Sequence, residues 1–294
     1  MELSDVLQPM LLSIIKYILI FVVSYFLAFL IFPFIRGLIY QAGVLKPNYH
    51  EEQIPAIAGI LFVALLPLVT MINMLCSVNS YFDSMLFLLM IVGMGFMGFL
   101  DDQMGNRNSK GLKGHFLALV KSKQLTSGGF KALFGAILAL IFSSAVIFPI
   151  RSVWWPWELL LNFLLICLAT NMINLFDLRP GRAGKIYLAV FLIIVAFSKN
   201  LENYFGLFLP IIAIILYYLP FDLRAEVMMG DVGSNLLGST LGMMMVWMLS
   251  DLAKIVSLII MVALQLSAEK VSFTKIIERN GILRYIDNIG REQR

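Results

Sequence analysis

Nine apolar stretches constrain the fold of this chain more than any other feature. They lie near residues 10–35, 54–75, 83–100, 129–149, 155–173, 184–199, 204–220, 233–250 and 253–268. A helix of about 20 apolar residues crosses the hydrocarbon core of a bilayer. Hydrophobic residues make up 60% of the 294 positions and charged residues only 14%, which excludes an ordinary soluble domain. We therefore expect an all-α, polytopic membrane bundle of about nine transmembrane helices.

The distribution of Lys and Arg predicts the orientation of this bundle, because short cytoplasmic loops collect positive charge. With nine spans and the N-terminus outside, the inner side receives all but four of the 22 basic residues: Lys16, Arg151, Lys199 and Lys254. The first stretch follows Glu2 and Asp5 instead of a basic region, so we expect an anchor helix and no cleaved signal. We expect one transmembrane domain over residues 1–268 and a basic, amphipathic cytoplasmic tail over 269–294.

Two adjacent carboxylates, Asp101 and Asp102, follow the third apolar stretch. The helix dipole disfavours negative charge at a helix C-terminus unless a cation compensates it, and ionisable groups in membrane helices are costly. Exposed ion pairs in a wet loop are the plain structural interpretation. The functional interpretation is a candidate metal site.

Three further polar segments fall on the predicted cytoplasmic side. Residues 46–60 form a proline-containing loop in which Gly59 would permit close approach of a helix or a ligand. In residues 171–185, Asn171, Asn174 and Asp177 recur every three positions, which places them near one helix face. This spacing fits a shared binding space or inter-helix hydrogen bonding.

The same segment continues into a basic turn, and the last polar segment resembles a helix start. Arg179, Arg182 and Lys185 surround Pro180 and Gly181 in a turn suited to anionic groups. In residues 228–235, Asp231 is expected to be a helix N-cap. Gly233 and Ser234 follow in a first turn whose free N–H groups suit a phosphate.

On this topology, Asp101, Asp102, Asp177 and Asp231 reach one membrane side from three helices. Mg²⁺ prefers hard oxygen ligands, typically one or two carboxylates with water and substrate phosphates. Such an arrangement suits phosphoryl transfer, in which a metal neutralises developing charge.

These motifs resemble those of the polyprenyl-phosphate N-acetylhexosamine-1-phosphate transferases. The resemblance rests on four features between Lys46 and Asp231: the Pro55 and Gly59 segment, Asp101-Asp102, Asn171-x-x-Asn174-x-x-Asp177, and Gly230-Asp231-x-Gly233-Ser234. It implies transfer of a sugar 1-phosphate from a UDP-N-acetylhexosamine to a polyprenyl phosphate. The reaction releases UMP, requires Mg²⁺, and belongs to cell-envelope synthesis in the bacterial membrane.

The resemblance also implies roles for individual residues. Asp231 and Asp102 would bind the metal, and Asp101, Asp102 and Asp231 would form the catalytic group. The substrate-binding set would be Lys113, His115, Asn171, Asn174, Asp177, Arg179, Arg182, Gly233 and Ser234. We expect no nucleic-acid partner, and the apolar faces could support a homodimer.

Two departures from the family pattern leave alternatives open. Members usually carry a histidine-rich motif in the last large cytoplasmic loop and then a tenth helix, whereas this chain contains only His50 and His115. Leu178 also replaces the glycine that commonly follows the third-motif aspartate. Basic residues such as Arg179, Arg182, Lys185, Lys275 and Arg279 could replace the histidines, or the protein could be a non-catalytic paralogue that binds polyprenyl phosphate.

Two further possibilities concern the carboxylates and the tail. A transporter is a third class of function, although its carboxylates should lie near mid-membrane. The tail from Phe273 to Arg291 could lie on the anionic inner surface as an interfacial helix.

Overall fold

The computed structural model describes residues 3–76, 78–105, 127–149 and 152–291, which are mostly helical. The helices in this part of the chain are α1 (Leu3–Gln41), α2 (Ile60–Leu75), α3 (Tyr81–Met104), α4 (Ser127–Ile147), α5 (Trp155–Phe176), α6 (Arg182–Ala196), α7 (Leu201–Leu223), α8 (Gly230–Met248), α9 (Asp251–Lys270), α10 (Phe273–Arg279) and α11 (Gly281–Asn288). The helical bundle is therefore confirmed.

A short hairpin interrupts the helices and was not expected. Strands β1 (Leu45–Pro47) and β2 (Gln53–Pro55) pair in an antiparallel register, with Leu45 opposite Pro55. Prolines at both strand ends favoured a loop, because proline cannot donate a ladder hydrogen bond. The terminal positions of a two-stranded hairpin tolerate this loss.

Six helices among the described residues are long and apolar enough to cross a membrane, namely α1, α3, α4, α5, α7 and α9. The other three expected spans correspond to α2, α6 and α8, which have 16, 15 and 19 residues. The total of nine spans therefore stays a prediction, and so does the orientation of the termini.

Helix α8 forms the centre of the bundle and packs most extensively against α5 and α3. Every residue from Val232 to Met248 is buried. Two glycines bring its backbone against α5, since an added Cβ would lie 2.5 Å from Thr170 Cα at Gly238 and 2.6 Å from Ile166 Cα at Gly242. Small residues at such positions let helices pack closely, which fixes the position of α8.

Two more glycines hold the start of α8 in place. A Cβ on Gly98 of α3 would lie 2.5 Å from Val232 Cα, and one on Gly59 would lie 2.5 Å from the amide nitrogen of Gly233. Gly59 thus permits the close approach that its segment predicted, and the neighbour is the first turn of α8.

The four polar segments meet at one end of the bundle. Helices α3, α5 and α7 end there, whereas α4, α6 and α8 begin there, and the hairpin lies beside them. Alternating chain direction thus gathers residues that are far apart in sequence.

Candidate active site

A cavity of about 740 Å³ opens between the hairpin and the ends of these helices. This volume is within the range of roughly 300–1,000 Å³ that is usual for small-molecule sites. The predicted site residues that line it are Asp101, Asp102, Asn174, Asp177, Arg179 and Asp231.

Asp101, Asp102 and Asp231 form an acidic cluster in this cavity. The Lys131 ammonium on the second turn of α4 bridges two of its members, donating to Asp101 Oδ2 at 3.1 Å and to Asp231 Oδ2 at 2.8 Å. Asp101 lies in the last turn of α3 and Asp231 in the first turn of α8. Lys131 therefore joins three helices at one point.

Asp102 has different partners. Its Oδ1 accepts from Lys46 Nζ at 3.2 Å, and its Oδ2 accepts from the Val232 amide at 3.2 Å. The side chain is only 6% exposed. Asp102 thus ties the hairpin and the start of α8 to α3.

Asn174 completes the contacts of the acidic cluster. With its amide oriented to satisfy both ends, its nitrogen donates to Asp231 Oδ1 at 2.8 Å and its oxygen accepts from Lys131 at 3.3 Å. The buried Ser234 hydroxyl lies 3.3 Å from the same amide. Asn174 therefore positions Asp231 and Lys131.

A second acidic pair, Asp177 and Asp222, lines the same cavity. Burial raises the pKa of Asp177 well above its usual range, and the nearby Asp222, Asp231 and Asp102 carboxylates raise it further. Within the described residues, Asp222 Oδ2 and the adjacent Tyr218 hydroxyl have no hydrogen-bond partner. This part of the cavity has unsatisfied hydrogen-bonding capacity.

Three predicted residues contact other parts of the protein. Asn171 donates to Gln265 of α9 at 2.5 Å, and Gly233 packs against Gly59. Arg182 binds Asp287 of α11 through two hydrogen bonds of 2.8 Å. We call Arg182, Lys185, Asp287 and Arg291 the tail clamp. Lys113 and His115 lie outside the described residues.

The expected N-cap role of Asp231 is wrong. The cap position is Met229, and α8 begins at Gly230, so Asp231 lies inside the first turn. Gly230 has a φ of 73°, and an added Cβ would lie 2.6 Å from Asp102 Oδ2. Glycine accommodates both the left-handed backbone and the close carboxylate.

Residues 84–249, which contain the acidic cluster and Asn174, match the sequence model described as glycosyl transferase family 4. The chain belongs to this family. The match confirms the resemblance to the polyprenyl-phosphate N-acetylhexosamine-1-phosphate transferases. Together with the apolar helices, it identifies a multi-pass bacterial membrane protein.

Curated relatives of this glycosyl transferase family 4 chain include three phospho-N-acetylmuramoyl-pentapeptide-transferases. The Thermotoga neapolitana protein is 29% identical over 209 residues, covering 68% of this chain and 63% of the relative. The Fervidobacterium nodosum protein is 30% identical over 213 residues, covering 68% and 61%. The Clostridium kluyveri protein is 29% identical over 206 residues, covering 67% and 62%. The chain thus spans a little over three-fifths of the length of these relatives.

The residues of this glycosyl transferase family 4 member partly fit a Mg²⁺ ion. Among the described residues, no three carboxylate, histidine or cysteine side chains are placed to hold one metal. Asp101 and Asp231 nevertheless direct one oxygen each at the same cation, the Lys131 ammonium. Two carboxylates with water and substrate phosphates form a usual Mg²⁺ environment, so the donor set fits. Asp102, a predicted ligand, has both oxygens hydrogen-bonded instead.

The sequence interpretation missed Lys46, Lys131 and Asp222 as site residues. Lys131 carried a usable signal, because it is a charged residue within the apolar stretch 129–149, and such residues are candidates for function by default. Lys46 lies before the family match, and only the hairpin brings it to Asp102.

Proposed function

We propose that the protein transfers a sugar 1-phosphate from a UDP-amino sugar to a polyprenyl phosphate and releases UMP. The reaction would take place at the membrane face where the cavity opens, which we expect to be cytoplasmic, and would serve cell-envelope polysaccharide synthesis. The phospho-N-acetylmuramoyl-pentapeptide-transferases among its relatives support this class of reaction.

The charge of the cavity carries the proposal. Five carboxylates line it, those of Asp101, Asp102, Asp177, Asp222 and Asp231. Three of them form the acidic cluster, and among the described residues the cations in contact with that cluster are Lys46 and Lys131. An anionic diphosphate would be repelled by this excess unless further positive charge accompanies it. A divalent cation would supply this charge, so we expect UMP release to require one.

We expect the cavity residues to have separate roles in the reaction. Asp231 and the facing Asp101 would hold Mg²⁺, which supplies charge neutralisation at the pyrophosphate when bound. Asp102, with Lys46 beside it, would orient the lipid phosphate. That phosphate needs no strong base, because the second pKa of a phosphate monoester is about 6. Alignment of the two substrates would then supply much of the rate.

A non-catalytic, lipid-binding paralogue is the second candidate. It is favoured by Arg182, whose guanidinium is 4% exposed and bound to Asp287 and Thr274, so that it is not directed at the cavity. A transporter is disfavoured, because the described carboxylates of the cavity lie at helix ends instead of mid-membrane.

The test is direct. Purified full-chain protein would be incubated with Mg²⁺, polyprenyl phosphate and a panel of UDP-amino sugars that includes UDP-N-acetylmuramoyl-pentapeptide. We expect UMP release that requires the lipid and is stopped by EDTA. If the lipid binds but no donor yields UMP, the non-catalytic function is supported and the transferase proposal fails.

A further inference from the structure

Helix α11 is held tightly on one side by the tail clamp. Asp287 accepts from Arg182 and from Arg291, with hydrogen bonds of 2.8–2.9 Å. Lys185 Nζ donates to the carbonyl oxygens of Ile286, Asp287 and Ile289 at 3.3, 2.5 and 3.0 Å. Cations at the last carbonyls of a helix oppose its dipole favourably. The position of α11 is therefore fixed.

The tail contacts the ends of helices that are long enough to span a membrane. Phe273 stacks on Phe176, the last residue of α5, with ring centroids 5.1 Å apart. A Cβ on Gly290 would lie 3.1 Å from Leu223 Cδ1, at the last residue of α7. The tail itself follows the end of α9 at Lys270. Because α5, α7 and α9 are long and apolar enough to span, these contacts place α11 at the bilayer surface.

The other side of α11 is apolar and exposed. Ile282 and Tyr285 are each 73% exposed, and Ile286 and Ile289 about half. Ile282, Tyr285 and Ile286 lie three and four residues apart and form one helical stripe, and Ile289 follows at the C-cap of α11. An exposed apolar stripe of this kind, beside the ends of spanning helices, calls for an apolar neighbour.

The charges around this stripe suit an anionic surface. The exposed basic residues of the segment are Lys270, Lys275, Arg279 and Arg284. The exposed acidic residues beside them are Glu269 and Glu278, and Glu278 is paired with Arg179 at 3.1 Å. Basic residues near an apolar stripe are typical of helices in the interface of anionic membranes.

We propose that α11 lies in the interface of an anionic lipid leaflet. Ile282, Tyr285 and Ile286 would contact the acyl boundary, with Lys275 and Arg279 of the preceding α10 at the headgroups. Just after the end of α11, Arg291 Nε donates to the Pro180 carbonyl at 2.7 Å. Because Pro180 lines the cavity, the proposed membrane contact of α11 would lie next to the cavity wall.

A site-specific fluorophore tests the proposal in the full chain. Cys76 and Cys167 would be replaced by Ala, and an environment-sensitive dye attached at Tyr285→Cys or, as control, at Asn288→Cys. Asn288 is on the same helix but about 100° from the centre of the stripe, given the helical advance of 100° per residue. Each protein would be placed in nanodiscs of phosphatidylglycerol or of phosphatidylcholine.

We expect doxyl-labelled lipid to quench the dye at position 285 in phosphatidylglycerol. Quenching by aqueous iodide should be several-fold weaker there than at position 288. The contrast should shrink in phosphatidylcholine and in Lys275→Glu/Arg279→Glu protein. Equal iodide access at both positions in both lipids would overturn the proposal. Shielding that is independent of lipid but rises with protein-to-disc ratio would instead indicate a second copy of the chain and would also overturn it.

Discussion

Two polar clusters lie at the same end of the bundle and differ in how their charges are satisfied. In the acidic cluster, three carboxylates share the cations of Lys46 and Lys131 and line an open cavity. In the tail clamp, Arg182 and Arg291 both bind the single carboxylate of Asp287, and Lys185 donates to backbone oxygens beside it. The first cluster has an excess of negative charge that faces a cavity. The polar groups of the second cluster are instead taken up by contacts within the protein. Proximity to the site therefore does not by itself mark a substrate-binding residue.

The largest expected effect follows from substitution in the acidic cluster. Asp231→Asn removes the charge facing Asp101 but keeps the shape, so we expect UMP release to fall on the order of 100-fold or more. Asp102→Asn should reduce it strongly. The assay is UMP formation with Mg²⁺ and polyprenyl phosphate.

The matched control is Asp251→Asn. Asp251 is exposed and begins α9, beyond the far end of α8. Its substitution should leave UMP release unchanged. If Asp231→Asn and Asp251→Asn retained equal activity, the acidic cluster would have no part in turnover.

Substitution in the tail clamp should affect docking of the tail. Arg182→Ala leaves Asp287 with Arg291 only, and loss of one partner of a buried ion pair costs about 3 kcal/mol. Since each 1.4 kcal/mol is a factor of ten, trypsin cleavage after Lys275, Arg279 or Arg284 should rise on the order of 100-fold if it tracks opening of the tail. Unchanged cleavage would show that the clamp does not hold α11.

The pH range for this measurement follows from the pKa of Asp287. Burial alone would raise this pKa, but hydrogen bonds from Arg182 and Arg291 outweigh burial and lower it. A carboxyl group with a lowered folded-state pKa stabilises the fold above its unfolded pKa of about 3.9. The contribution is lost as pH falls through the folded-state pKa. Experiments near neutrality therefore measure it in full.

Loss of the close packing between α3 and α8 should have an intermediate effect. Gly98→Ala would push Cβ into the backbone at Asp231 and Val232, and overpacking of this kind costs about 2 kcal/mol. Thermal melting in detergent should show the loss, and activity should fall because α3 and α8 carry opposite sides of the acidic cluster. Gly37→Ala is the control, since nothing lies within 4 Å of its added Cβ. Equal melting of both variants would contradict the tight α3–α8 contact.

The convergence of Asp101, Asp102, Asn174, Asp177 and Asp231 could be predicted from sequence, because helix ends and the distribution of basic residues placed them on one side. The contact partners of other site residues could not be predicted from sequence. Arg182 meets Asp287 105 positions later, and Asn171 meets Gln265 94 positions later. The spacing of residues along α5 shows which of them share a helix face, but it does not show how far each lies from the cavity. Asn171 lies about one turn farther from the cavity than Asn174. Tertiary packing decides such pairings.

The smallest expected effect concerns Arg179, which belongs to neither cluster but lies between the cavity and the tail. Arg179 lines the cavity and pairs with Glu278 of the tail, with about half of each side chain exposed. An exposed ion pair contributes less than about 1 kcal/mol, so Arg179→Ala should change trypsin cleavage of the tail less than about fivefold. If Arg179 binds a substrate anion, as its sequence predicts, the same variant should raise the KM for the UDP-sugar while tail docking is retained. A KM equal to that of the unmodified protein would remove Arg179 from the substrate-binding set. Cleavage that rises as far as in Arg182→Ala would instead show that the exposed pair holds the tail, contrary to the difference in burial between the two arginines.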